Sequence, residues 1–261
     1  MTSHSSTSGV VTALDAGLLR VTLDRPARMN AVRIETLDAI TDALESRAGD
    51  SAVRATVLTG VGGAFCSGAD LSTSTTNDRP TAATIDAANR TVAAIHAFPR
   101  PVAGAVNGPA AGVGVSLALA CDLTVATKSS YFLVAFTKVG LMPDGGTTAL
   151  VAASIGRARA MKMALLAERL PAREALTAGL IADVYSDDEF ASAVENHAPA
   201  HERPGDAFRW TKDAVNDATL TELDNAFARE RNGQLELLDS PDFEEVVTAF
   251  RKKRPAAFRR T

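Results

Sequence analysis

Two cysteines and four histidines in 261 residues leave little with which to cross-link a chain or ligate a metal. Cys66 and Cys121 each sit inside an apolar stretch, where a thiol packs as a small hydrophobe. Neither a disulfide nor a metal site is expected, and the chain reads as a protein of a reducing compartment, the cytoplasm. His4, His96, His197 and His201 share no ligand spacing; His96, closing a helical pattern, reads as a surface or cap residue. Aromatics are also scarce, with one tryptophan and two tyrosines, and they do not interleave with basic residues. Together with a net charge of −4, this excludes nucleic acid as an expected partner. No apolar run approaches the roughly 20 residues that cross a bilayer, so no membrane partner is expected. The opening MTSHSSTSG lacks the basic-then-apolar layout of a secretory signal and reads as a frayed segment.

What is present suits a globular chain, 46% hydrophobic and 22% charged, sized for one large domain or two smaller ones. VVTAL and LLRVTL read as a hairpin around Asp15-Ala16-Gly17. Ile34, Leu37, Ile40 and Leu44 mark the apolar face of a helix. A strand over 53–59, a helix over 83–97, a strand over 101–106, a helix from Gly112 and a strand over 122–127 follow. The β signals stop at about residue 187, so 1–187 reads as an α/β core. Residues 188–261 read as a helical segment, with Trp210 and the apolar positions after 205 expected in a core or subunit interface.

Two glycine-rich blocks stand out, GGAFCSGADLS over 62–72 and AVNGPAAGVGVSLALACD over 105–122. Each follows an apolar β-prone run, and the second passes straight into a helical pattern. A strand, a glycine turn and a helix N-terminus present backbone N–H groups that have no helical partner. Two such turns can aim two donors at one oxygen, which is an oxyanion hole.

These paired blocks resemble the enoyl-CoA hydratase/isomerase (crotonase) superfamily. The likeness continues through LDRPARMNAV (23–32), VGLMPDGGTTAL (139–150), the run from Arg157 to Tyr185, and FRKKRPAAFRR (250–260). The resemblance implies a crotonase (ClpP-like) spiral of ββα units with a C-terminal helical trimerisation segment. It implies a homotrimer or a dimer of trimers, an acyl-CoA or enoyl-CoA substrate, and no cofactor apart from the coenzyme A of that substrate. It places the two oxyanion donors on the amides of Ala69 and Val113, with Ser67, Gly68, Leu71 and Gly112 flanking them and Asp70 ordering the first turn. Backbone carbonyls near Ala27 and Arg28, with the Ser67–Ala69 turn, would meet the adenine end of CoA. Lys253, in the basic run 251–254 that has no neighbouring acid in sequence, would reach a CoA phosphate.

The acid–base residues depart from the hydratase pattern. The two glutamates of the hydratases fall on Ser116 and Phe136; neither can act as a carboxylate base, and the resemblance leaves both as residues expected to line the acyl-CoA site. Adding water needs both its activation and protonation of the α-carbon, so losing two such groups, each worth ~10²–10⁴-fold, argues against hydration. Asp144, in LMPDGG, matches the aspartate of the isomerase branch, where one base takes a proton from one carbon and returns it to another. Its neighbours Phe136, Val139, Leu141 and Met142 would raise its pKa and keep water out. Asp144 before Gly-Gly-Thr is equally a helix cap, and its spacing from Phe136 resembles that of a nucleophile in the haloaryl-CoA dehalogenase branch, whose aromatic is a tryptophan. A hydratase using another acid, such as Glu168, and an acyl-CoA-binding protein without turnover are the other readings. The loop STSTTNDRPTAAT (72–84) reads as a mobile lid.

Overall fold

A computed structural model describes residues 8–71, 80–197 and 205–258. The hairpin forms as expected: β1 (Val10–Asp15) pairs antiparallel with β2 (Leu18–Leu23) from Val10↔Leu23 to Asp15↔Leu18. Its two-residue turn, Ala16-Gly17, has both residues at positive φ, the geometry that matches the twist of the flanking strands.

From β2 the chain repeats a strand-and-helix unit. Helix α1 (Ile34–Glu45), β3 (Ala55–Gly60), α2 (Ala82–Ala97), β4 (Val102–Val106), β5 (Ala110–Ala111), α3 (Val113–Leu119), β6 (Leu123–Thr127) and β7 (Tyr131–Leu133) follow in order. Next come α4 (Thr147–Leu166), β8 (Leu170–Pro171), α5 (Ala172–Ala178) and β9 (Asp183–Tyr185). The described chain then continues as α6 (Phe190–His197), α7 (Gly205–Thr219), α8 (Leu223–Leu238) and α9 (Pro241–Arg251). Six strands form one sheet in the order β1-β2-β3-β4-β6-β9, parallel from β2 onward. Strands β5, β7 and β8 form a second, small sheet. This is the α/β arrangement of recurring strand-and-helix units that the resemblance implies.

Parallel strands are buried on both faces, which is why β3 and β4 read as continuous apolar runs rather than alternating ones. One face packs Leu37, Ile40 and Leu44 of α1 with Val92 and Ile95 of α2 and Val115 and Leu117 of α3. The other face sets Leu18, Val57, Ala105 and Val125 against Phe190 and Val194 of α6. Thr81 and Thr84 form a reciprocal capping box at the start of α2, which fixes where that helix begins beside the cavity.

Several expectations change. Trp210 is 64% exposed and stacks under the Arg209 guanidinium, 4.5 Å away, so it is not in the core of this chain. His96 is half-buried in the last turn of α2, and burial followed by the Lys212 charge pulls its pKa down. The basic run does meet an acid, since Arg254 pairs with Glu245 at 2.9 Å and holds that carboxyl down to about 2. Cys66 and Cys121 are buried free thiols, as expected. Residues 72–79 of the expected lid, the opening 1–7 with His4, and His201 lie outside the described residues. Among the described residues no helix is long and apolar enough to cross a membrane, and no cluster of His, Cys, Asp and Glu could hold a metal.

Candidate active site

The two glycine blocks meet at Gly68 and Gly112. A Cβ added to Gly112 would lie 3.5 Å from the Gly68 Cα, and one added to Gly68 would lie 3.2 Å from the Ala111 carbonyl oxygen. Both glycines sit at positive φ, so side chains at either would strain the backbone and separate the turns. This contact makes the residues that follow, Ala69 and Val113, neighbours across one site. Val32 donates to the Gly68 carbonyl and accepts from the Asp70 amide, both at 2.9 Å, which turns the intervening Ala69 amide away from that partner. Val113 is the first residue of α3 and has no carbonyl one turn earlier in the helix. Among the described residues, neither amide donates to a main-chain carbonyl across the turns.

Both residues line a cavity of about 170 Å³ together with Ser67, Gly68, Leu71, Gly112, Phe136 and Asp144. The rest of its wall is apolar, including Leu37, Ile85, Val139, Leu141 and Leu238, except for Thr84 and Gln234. Met142 does not line it and packs instead against Gly233 of α8.

Asp144 is the one ionisable side chain among the described lining residues. Burial pushes its carboxyl up to about 7 against the pull of a hydrogen bond from Gln234, and the charge of Glu230 adds to the rise. Gln234 Nε2 donates to Oδ2 at 3.0 Å, while Oδ1 is buried with no partner. The main chain is pinned as well. The Asp144 carbonyl accepts from the Thr147 hydroxyl at 2.6 Å and lies 3.0 Å from Ser116 Oγ.

The expectation that the Asp144 side chain caps α4 is not met. The cap position is Gly146, without a side-chain cap of its own. Glu230 of α8 accepts the amides of Gly146 at 2.7 Å and Thr148 at 2.8 Å, and the Thr148 hydroxyl at 2.6 Å. A carboxylate at a helix N-terminus gains from both the free N–H groups and the helix dipole.

Other expected residues lie outside the cavity. Ser116 is fully buried behind it, 2.6 Å from the Thr147 hydroxyl, so it packs against the Asp144 backbone instead of facing substrate. Asp70 is buried in ion pairs with Arg25 at 2.7 Å and Arg33 at 3.2 Å, which tie the turn to the segment before α1. Ala27 and Arg28 are exposed, joined to the rim where Ser67 Oγ donates to the Arg28 carbonyl at 3.3 Å. Lys253 is exposed and does not line the cavity. Glu168 lines a separate surface groove beside Lys162, 3.5 Å away, and is no acid for this site. Gln234 and Glu230 were not expected. Their signal is a stripe on α8, where buried Leu223, Ala226, Glu230 and Gln234 recur at helical spacing.

Known proteins share this architecture over nearly their whole length. A family model described as enoyl-CoA hydratase/isomerase matches residues 13–261. A protein of Rhodobacter capsulatus named "probable enoyl-CoA hydratase" is 41% identical over 94% of this chain and 95% of its own. The 1,2-epoxyphenylacetyl-CoA isomerase of Escherichia coli K12 is 36% identical over 95% of this chain and 97% of its own. The crystal structure of an enoyl-CoA hydratase from Mycobacterium avium subsp. paratuberculosis K-10 superposes with a TM-score of 0.90 at 47% identity, covering 98% of this chain and 100% of that one. Fold and sequence thus agree along nearly the whole chain, and the chain belongs to the enoyl-CoA hydratase/isomerase family of acyl-CoA enzymes.

Proposed function

We propose that the protein shifts a carbon–carbon double bond within an enoyl-CoA, with Asp144 moving the proton. The observation that carries this reading is the presence of one ionisable group, Asp144, among the described residues lining an otherwise apolar cavity. The thioester carbonyl accepts from the amides of Ala69 and Val113, each such donor being worth about 3–4 kcal/mol to a developing oxyanion. Polarisation acidifies C2, and Asp144 removes its proton to leave a dienolate. The double bond moves from C3–C4 to C2–C3 as the same carboxyl returns the proton to C4. A carboxyl near pH 7 serves both directions, because it is neither too weak a base nor too weak an acid at that pH. Ala27, Arg28 and the Ser67 rim would meet the adenine end of CoA and Lys253 a phosphate, in a homotrimer or dimer of trimers without a further cofactor.

Hydration is the second reading, favoured by the names of the Rhodobacter and Mycobacterium relatives. It requires a second acid–base group. Ser116 and Phe136 are not carboxylates, Glu168 is remote, and Glu230 is engaged at the start of α4. The isomerase among the relatives supports the first reading. The test is incubation with 3-enoyl-CoA and with 2-enoyl-CoA, beside Asp144→Asn. Isomerisation lost in the variant supports Asp144 as the base. Brisk hydration of 2-enoyl-CoA overturns the reading, and binding without turnover of either compound leaves an acyl-CoA-binding protein.

A further inference from the structure

We infer that Gln234 is the positioning residue of this site, donating to one carboxylate oxygen of Asp144 and so fixing the orientation in which the carboxyl meets the substrate. This rests on the reading that Asp144 moves the proton.

The geometry separates the two oxygens. Oδ2 accepts the Gln234 amide at 3.0 Å, whereas Oδ1 is buried without a partner. With the Asp144 carbonyl fixed by the Thr147 and Ser116 hydroxyls, a single donor on Oδ2 suffices to set the rotation of the carboxyl. Gln234 is 2% exposed and lines the same cavity. Its own Oε1 is buried and unpartnered, so the side chain is held in place by what its N–H does. An amide does not titrate near neutral pH, and it can therefore orient the carboxyl without competing for the proton.

The placement of Gln234 is itself built. Glu230, one helical turn earlier on α8, is anchored at the start of α4 by three hydrogen bonds, two from amides and one from the Thr148 hydroxyl. Leu223 and Phe227 reach the backbone of Gly146, where a Cβ would stand 2.6 Å and 2.9 Å from them. Residues four apart share one helix face, so docking Glu230 also delivers Gln234 to Asp144. Of the elements packed on the carboxyl, α8 brings one charged group, Glu230, which opposes ionisation, while Ser116 of α3, Phe136, and Thr147 of α4 are neutral. The Gln234 N–H favours the ionised form, as a donor to a carboxylate does.

The test is a carboxyl ¹³C NMR titration of the full chain as wild type, Gln234→Leu and Gln234→Met, beside steady-state kinetics on 3-enoyl-CoA. Methionine keeps the unbranched shape of glutamine, so it carries the test if leucine disturbs folding. In both variants the Asp144 midpoint is expected to move upward by about one pH unit. At pH 7, kcat is expected to fall about fivefold and recover as the pH is raised, with KM changed less than about threefold. Midpoints equal to wild type overturn the inference, even if the protein isomerises enoyl-CoA. Shifted midpoints support it, even if the protein does not isomerise, in which case the function proposed above fails by itself. A loss confined to KM also overturns it.

Discussion

Glu230 accepts the amide of Gly146 at 2.7 Å, a role that Asp144, two residues before that amide, leaves to it. An aspartate ahead of Gly-Gly-Thr is an ordinary way to begin a helix, and with no competitor its carboxylate would fold back on those N–H groups. A carboxylate arriving from α8 occupies them, and the side chain of Asp144 is free to line the cavity.

Removing that charge therefore acts twice. Glu230→Gln leaves an oxygen to accept one amide but weakens the cap, at a cost of about 1–2 kcal/mol. It also removes a charge that raises the Asp144 pKa, so the midpoint of the activity profile moves to lower pH. Urea unfolding and kcat/KM against pH measure the two effects. An unchanged stability would show that α4 does not depend on the contact.

The wild-type enzyme is expected to gain activity with a slope of about tenfold per pH unit below pH 7 and to level off above it, because a base must be ionised. The midpoint follows from the carboxyl held at about 7. A profile flat between pH 5 and 8 would assign proton transfer to another group.

Asp144→Asn is expected to abolish isomerisation by at least about 10²-fold while stabilising the fold at alkaline pH. The folded carboxyl titrates near 7, against 3.8 for its ordinary value. The native state holds its proton where the unfolded chain has released it, so the group lowers stability progressively as pH rises from about 4 to about 7. Asparagine has no such titration. The variant should gain on the order of 2–4 kcal/mol above pH 7, with the gap closing toward pH 4. Thermal melts at pH 4.5 and pH 8 check the sign. A variant less stable at pH 8 would contradict it.

Gly146 and Gly156 share almost the same φ, +73 and +74, but only the first is crowded by α8, since nothing lies within 4 Å of a Cβ at Gly156. Alanine at Gly156 meets a backbone cost alone, about 1–3 kcal/mol, because its ψ of 164 lies where essentially only glycine goes, whereas Gly146, with ψ 9, is in the milder left-handed helical region. Alanine at Gly146 adds contact with Leu223 and Phe227, about 1–3 kcal/mol more. It should also depress kcat, because it displaces the helix that bears Gln234. A kcat unchanged by alanine at Gly146 would sink the claim that α8 docks on this glycine.

Asp70→Ala is expected to destabilise by about 3 kcal/mol, since the Arg25 side chain, mostly buried, loses its carboxylate. Denaturant unfolding measures this, and a loss below about 1 kcal/mol would mean that the turn holds without the pair.

How much of this was legible depends on sequence distance. The β1–β2 turn, the glycine blocks and Asp144 each carry their meaning within a dozen residues, because turn chemistry and strand-to-helix transitions are local. Gln234 lies 90 residues from Asp144, and LDNAFARERNGQLELL reads as a charged surface helix unless its buried stripe is recognised as ending in two polar side chains. Ser116 was misread for the opposite reason. The resemblance puts it where a base sits in hydratases, but its hydroxyl is taken up behind the cavity by the Thr147 hydroxyl and the Asp144 carbonyl. Strands β5, β7 and β8, of two or three residues each, are too short to show a period. Trp210 is expected in a core or a subunit interface, and its helix leaves it exposed beside Arg209, which removes only the first of the two.

Because α8 supplies Gln234 and Leu238 to the cavity wall, synthesis on the ribosome completes the pocket late. Both amide turns and Asp144 precede that flank in the chain, so the site has no closed wall before α8 is made. An apolar surround for Asp144 therefore requires α8 to be docked.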